Sequence, residues 1–128
     1  MKIMICEQDA QQVKLIKNVL NNYKFKHIVP KRDGDVYKMV VDQKPSIIIF
    51  NEKFQKEIGD ELLNQLRSNS QTENIPIIYI SSKTDLKEKL KRFSNDSYVQ
   101  LLSEPYRLKF FRHSIDRWTT FRSLYIKQ

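Results

Sequence analysis

The sequence predicts a single α/β domain built on a parallel sheet with helices wound on both faces. Three observations lead there. Short apolar runs alternate five times with segments of helical periodicity. The middle run, Ile47-Ile48-Ile49-Phe50, is apolar at every position, as a strand covered on both faces must be. Turn and breaker residues, among them Gly34, Pro45, Gly59, Pro76 and Pro105, punctuate the runs. Right-handed crossovers between parallel strands narrow the topology to a doubly wound sheet. Chemistry in such sheets gathers at the C-terminal strand ends. That rule singles out Glu7-Gln8, Asn51, Ser81 and Glu104.

Residues 2–6 read as the first strand. Glu7-Gln8-Asp9-Ala10 is a polar turn and helix start, and Val13, Ile16, Val19 and Leu20 follow at helical spacing until Asn21-Asn22. Residues 25–29 are the second strand, and Asp33-Gly34 marks a tight turn in the loop after it. Val36, Met39, Val40 and Val41 form a second helix that stops before Pro45. After the third strand comes a loop over 51–58, with Gly59 as its turn residue. Asp60 is placed to cap a third helix carrying Leu62, Leu63 and Leu66. The fourth strand spans 77–80 and a loop 81–84. A charged amphipathic helix covers 85–93, the fifth strand 98–102, and a long last helix about 106–125.

At 128 residues the chain fits one domain over 1–128, with about 119–128 as an extension of the last helix. Apolar residues make up 40% and charged residues 30%, a balance suited to a water-soluble core-forming domain. No apolar run approaches the roughly 20 residues that span a bilayer, and the apolar start is too short for an export signal. The expected setting is therefore cytoplasmic, away from membranes. Cys6 is the only cysteine and lies in an apolar run, so it reads as a buried thiol. Two glycines exclude a P-loop or dinucleotide fingerprint. His27 and His113 have no Ser, Cys or Asp arrangement around them in sequence and read as structural or surface residues. No enzyme activity is expected.

Taken in order and spacing, these pieces resemble a bacterial response-regulator receiver domain over nearly the whole chain. The family has an acidic pair after the first strand, where Glu7-Gln8 stand. Its phosphoacceptor aspartate ends the third strand, where Asn51 stands, and a glycine follows eight residues later, as Gly59 does. The Pro76-Ile77-Ile78 run leading to Ser81 matches the fourth strand, and Glu104-Pro105 sits where the family has Lys-Pro, often joined by a cis bond. The resemblance implies a flavodoxin-like (βα)5 sandwich with strand order 2-1-3-4-5.

The departures fall on the chemistry. An asparagine amide is a poor nucleophile beside a carboxylate, so an acyl phosphate is not expected at Asn51. The family's Mg²⁺ is held partly by the acidic pair and the phosphoacceptor. With Gln8 and Asn51 as amides, Mg²⁺ binding should be weak or absent, and no metal or other cofactor is expected. Glu104 reverses the charge of the family's phosphate-pairing lysine. Leu101 takes the aromatic switch position, and only Ser81 remains of the switching pair, either as such or as a loop hydroxyl bonded to backbone. Glu7 is equally readable as a helix-start carboxylate. Glu7 and Glu104 leave the degenerate pocket acidic, able to attract a cation or an inward-reaching Lys53.

The formal charge is +8, and residues 83–128 hold 11 Lys/Arg against 5 Asp/Glu. Leu108, Phe111, Ile115 and Trp118 form a core-facing stripe on the last helix, which Phe121, Leu124 and Tyr125 continue. Packing on the first helix, self-association or a partner would each cover that extension. In receivers, helix 4, strand 5 and helix 5 form the output face, which is also where the basic excess falls. The expected function is therefore a pseudo-receiver that binds a protein partner or itself without phosphorylation, through Arg107, Arg112, Arg117, Trp118 and Phe121. The alternative is the N-terminal regulatory receiver of a DNA-binding transcriptional regulator. Direct nucleic-acid binding is not expected despite a pI of about 9.6, because no recognition motif is present.

Overall fold

The computed structural model describes residues 1–55 and 59–126; the side chains of 59, 60 and 120–126 lie outside the described set. Five strands, β1 (Lys2–Cys6), β2 (Lys26–Ile28), β3 (Ile47–Asn51), β4 (Ile77–Ser82) and β5 (Val99–Glu104), alternate with five helices. These are α1 (Ala10–Leu20), α2 (Val36–Gln43), α3 (Gly59–Arg67), α4 (Leu86–Arg92) and α5 (Leu108–Ile126). All four strand pairings are parallel, in the order β2-β1-β3-β4-β5. The predicted flavodoxin-like topology is thus the observed one.

Alternation along each strand divides the core in two. Ile47 and Ile49 join Ile3, Ile5, Ile78 and Ile80 beneath α1 and α5. Ile48 and Phe50 join Met4, Cys6, Ile77 and Tyr79 beneath α2 and α3. Cys6 is fully buried, and burial pushes its thiol well above the ordinary range. The helix boundaries follow local chemistry. Asp9 caps α1 through Gln11 N–H and Asp35 caps α2 through Lys38 N–H. Lys44 ends α2 in the left-handed region (φ 51°), directly before Pro45, which disfavours a helical residue at 44.

Several expected boundaries shift. β2 is shorter than predicted, while β4 and β5 run on through Ser82 and Glu104, because polar Ser81 and Ser82 pair in register with Ser103 and Glu104. Gly59 is already helical, so Asp60 lies in the first turn of α3 rather than at its cap; its side chain is outside the described residues. α4 buries none of its own residues and is anchored by Phe93 at its C-cap, whose ring meets Tyr79 at 5.2 Å. On α5, Phe111, Ile115 and Trp118 are buried, but Leu108 is 38% exposed at the helix start. Ser114 takes the interior place between them, its hydroxyl donating to Phe110 O.

Candidate functional site

The sheet order reverses between β1 and β3, so the ends of those strands flank the crevice where Glu7 and Asn51 meet. Asn51 ends β3 and is 1% exposed; Glu7 follows β1 and is 6% exposed. The Asn51 amide Nδ2 donates to Glu7 Oε1 at 3.3 Å and to Glu104 Oε1 at 2.5 Å. Its Oδ1 accepts the backbone N–H of Lys53 at 3.0 Å. Only this orientation works, since an amide oxygen aimed at two carboxylates would repel both. Lys53 Nζ then pairs with Glu104 Oε2 at 3.3 Å, and so does reach the pocket. One buried amide therefore ties together the loops after β1, β3 and β5. The Glu104–Pro105 bond is cis.

The charges in this cluster do not balance locally. Burial, then the charge of Glu104 and to a lesser extent Asp9, push the Glu7 carboxyl up to about 7, against the opposing pull of Gln8 N–H and Lys53. Tyr106 borders the same cleft of about 270 Å³. Its phenol is pushed up to about 12 by burial and then by Glu7 and Glu104.

The remaining expected pocket residues take different places. Ser81 is fully buried, and its hydroxyl donates to Glu52 Oε2 and to Ser82 O, both at 3.2 Å. It thus bonds backbone, as one reading had it, and also a carboxylate. Glu52, which the sequence did not single out, also accepts Ser82 N–H at 2.8 Å and so fastens the loop after β3 to β4. Gln8 lines the cleft, and its buried Oε1 has no hydrogen-bond partner among the described residues. Leu101 is partly buried against the core under α2 and α3.

The receiver fold implies a Mg²⁺ ion at these strand ends, and the residues present do not fit one. Magnesium requires hard oxygen ligands, yet Asn51 turns N–H donors into the pocket and Lys53 brings an ammonium to Glu104. Among the described residues, no group of three His, Cys, Asp or Glu side chains is arranged to hold a metal ion. At position 51 an amide stands in place of a carboxylate nucleophile, and both its Nδ2 and its Oδ1 are hydrogen-bonded.

The expected partner face divides. Trp118, expected on it, is instead core, 6% exposed and stacked on Tyr98 at 5.9 Å. Indole is too large an apolar surface to leave in water when a sheet face lies beneath it. Arg117 covers that ring at 5.3 Å on the β5 side of α5. Burial, then the hydrogen bond to Asp116, push the Tyr23 phenol up to about 12, against the smaller opposing charge of Arg112. Arg107 precedes α5. The side chains of Phe121, Leu124 and Tyr125 are outside the described residues, and so is the question of what covers them.

No family model matches the chain. The hybrid signal transduction histidine kinase D of Dictyostelium discoideum is 28% identical over 94 residues, which is 73% of this chain but 6% of that protein. Solved structures agree over much more. The signal receiver domain of a DNA-binding response regulator from Colwellia psychrerythraea superposes with a TM-score of 0.80 at 17% identity, covering 94% of this chain and 98% of that one. A response regulator from Desulfuromonas acetoxidans gives 0.73 at 22% identity, covering 94% and 97%. The receiver domain of a Pseudomonas aeruginosa sensor histidine kinase, solved with magnesium in its active-site cleft, gives 0.74 at 13% identity, covering 91% and 95%. The strand order, the crossovers and these superpositions agree: the fold of this chain is that of a response-regulator receiver domain.

Proposed function

We propose that this chain is a receiver-fold module of signal transduction that works without phosphorylation, by binding a protein partner. The observation that carries the reading is the Asn51 amide, held between Glu7 and Glu104 where a receiver presents a carboxylate to phosphate. A receiver uses phosphorylation to choose between two arrangements of its pocket loops. Here one arrangement is fastened from within by Asn51, Lys53 and Glu52, so the surface over those loops is presented constantly. The hybrid kinase relative supports a signalling setting. The excess of Lys and Arg after residue 83 favours the α4–β5–α5 side for the partner. On this reading the chain has no enzymatic activity and works in the cytoplasm. No helix among the described residues is long and apolar enough to cross a membrane.

The test is incubation with acetyl phosphate and Mg²⁺, followed by intact-mass measurement. No covalent phosphoryl group should appear. A stoichiometric adduct would overturn the reading.

A further inference from the structure

Two large apolar side chains stand in water at the start of α5: Phe110 is 54% exposed and Leu108 is 38% exposed. Single exposed apolar residues are ordinary. These two instead line one shallow groove of about 590 Å³, together with Lys109, Arg112, His113 and Asp116. The groove borders the cleft of Glu7 and Glu104 at Leu108 and runs along α5 to Asp116, which the Tyr23 hydroxyl reaches. Its lining is basic, with Lys109 and Arg112 on it and Arg107 just before it in sequence, and no acidic residue stands from 107 to 112. The one carboxylate at the groove, Asp116, is taken by the Tyr23 hydroxyl. No ion pair among the described residues engages Arg107, Lys109 or Arg112.

We infer that this groove at the start of α5 docks an acidic protein segment that places one or two large apolar side chains against Phe110 and Leu108. The apolar floor supplies the desolvated centre that carries affinity, and the cationic rim selects and steers an acidic partner. The inference rests on the reading of the chain as a protein-binding module. It narrows the contact from the α4–β5–α5 side to the start of α5 and gives the partner a chemistry.

The probe is a synthetic amphipathic peptide with Leu and Phe on one face and Glu on the other, titrated into the ¹⁵N-labelled protein. Its controls are the same peptide with Lys for Glu, and anionic phospholipid vesicles. The acidic peptide should shift amides across 107–116 in a saturable way, and binding should weaken as salt is raised. Phe110→Glu should lower its affinity at least about tenfold, and Lys109→Glu with Arg112→Glu comparably. Circular dichroism of these surface variants should match the parent. No saturable binding, equal binding of the Lys peptide, or binding of vesicles in place of the peptide would overturn the inference. Shifts confined to α4 and β5 would overturn it while leaving the partner-binding reading intact. An acetyl-phosphate adduct would sink that broader reading even where the groove binds the peptide.

Discussion

Replacing Asn51 by aspartate restores the receiver residue, and the geometry makes that restoration destabilising. The change removes two N–H donors and sets a third carboxylate at the Nδ2 position, 3.3 Å from Glu7 Oε1 and 2.5 Å from Glu104 Oε1. Like charges that close repel by about 5 kcal/mol per contact at an effective dielectric near 20. The site limits this by taking up a proton. The cost then grows by about 1.4 kcal/mol for each pH unit above the ordinary carboxyl range. Adding the lost hydrogen bonds, the Asn51→Asp variant should lose about 1–2 kcal/mol at pH 5 and about 5–6 kcal/mol at pH 8. For a chain of this length, the larger loss is a Tm decrease of about 20 °C. Thermal unfolding followed by Trp118 fluorescence and circular dichroism measures both. Adding Glu104→Lys should recover much of the loss at pH 8, since it removes one carboxylate and supplies a cation. Equal losses at the two pH values, or no loss at pH 8, would refute the assignment of the bridging amide.

Four further outcomes follow from the same contacts. Glu7 has a folded pKa raised from 4.5 to about 7, so its ionisation costs stability. That cost is absent below about 4.5, grows as pH rises and levels off above about 7, reaching at most about 3 kcal/mol; Glu7→Gln should flatten this slope in pH-resolved urea unfolding. Glu104→Gln removes the charge that helps raise Glu7, so the carboxyl carbon of Glu7 should titrate at lower pH by NMR. Trp118→Ala should cost about 3–5 kcal/mol, because the indole fills the core beneath α5 against Tyr98. Arg67 donates to Asp96 at 2.7 Å and to the carbonyls of Thr72 and Ile75; Arg67→Ala should cost about 2–4 kcal/mol, read from the urea midpoint.

The fold was legible because its signals are local. The run Ile47–Phe50 shows its two-faced burial residue by residue, and Phe111, Ile115 and Trp118 show theirs by spacing. Where polar residues occupy structured positions, the pattern misleads. Ser81, Ser82, Ser103 and Glu104 pair in the ladder although their side chains suggest a loop. Ser114 is buried because its hydroxyl bonds back to its own helix. Leu108 fits the periodicity of α5 but is the helix's first residue and stays 38% exposed.

The candidate site was half legible. Which residues stand at the strand ends follows from the alternation of strands and helices. What they do to one another does not, because the contacts join residues about fifty positions apart: Asn51 with Glu104, Glu7 with Asn51. Reading Asn51 as a loss misses that its amide is suited to hold two carboxylates. The position of Glu52 against Ser81 had no signal in the sequence, since an acidic residue in a polar loop is unremarked there. Of the expected partner face, the structure moves only Trp118, whose spacing on α5 already placed it in the core-facing stripe.

The most direct measurement is the NMR signal of the Asn51 side-chain amide in the unmodified chain, followed through a titration with Mg²⁺ and beryllofluoride and then through pH. A bridging amide predicts no saturable response to Mg²⁺ or beryllofluoride, and a shift with pH that tracks Glu7 near 7. A saturable, Mg²⁺-dependent shift of that amide, with no response to pH, would contradict it.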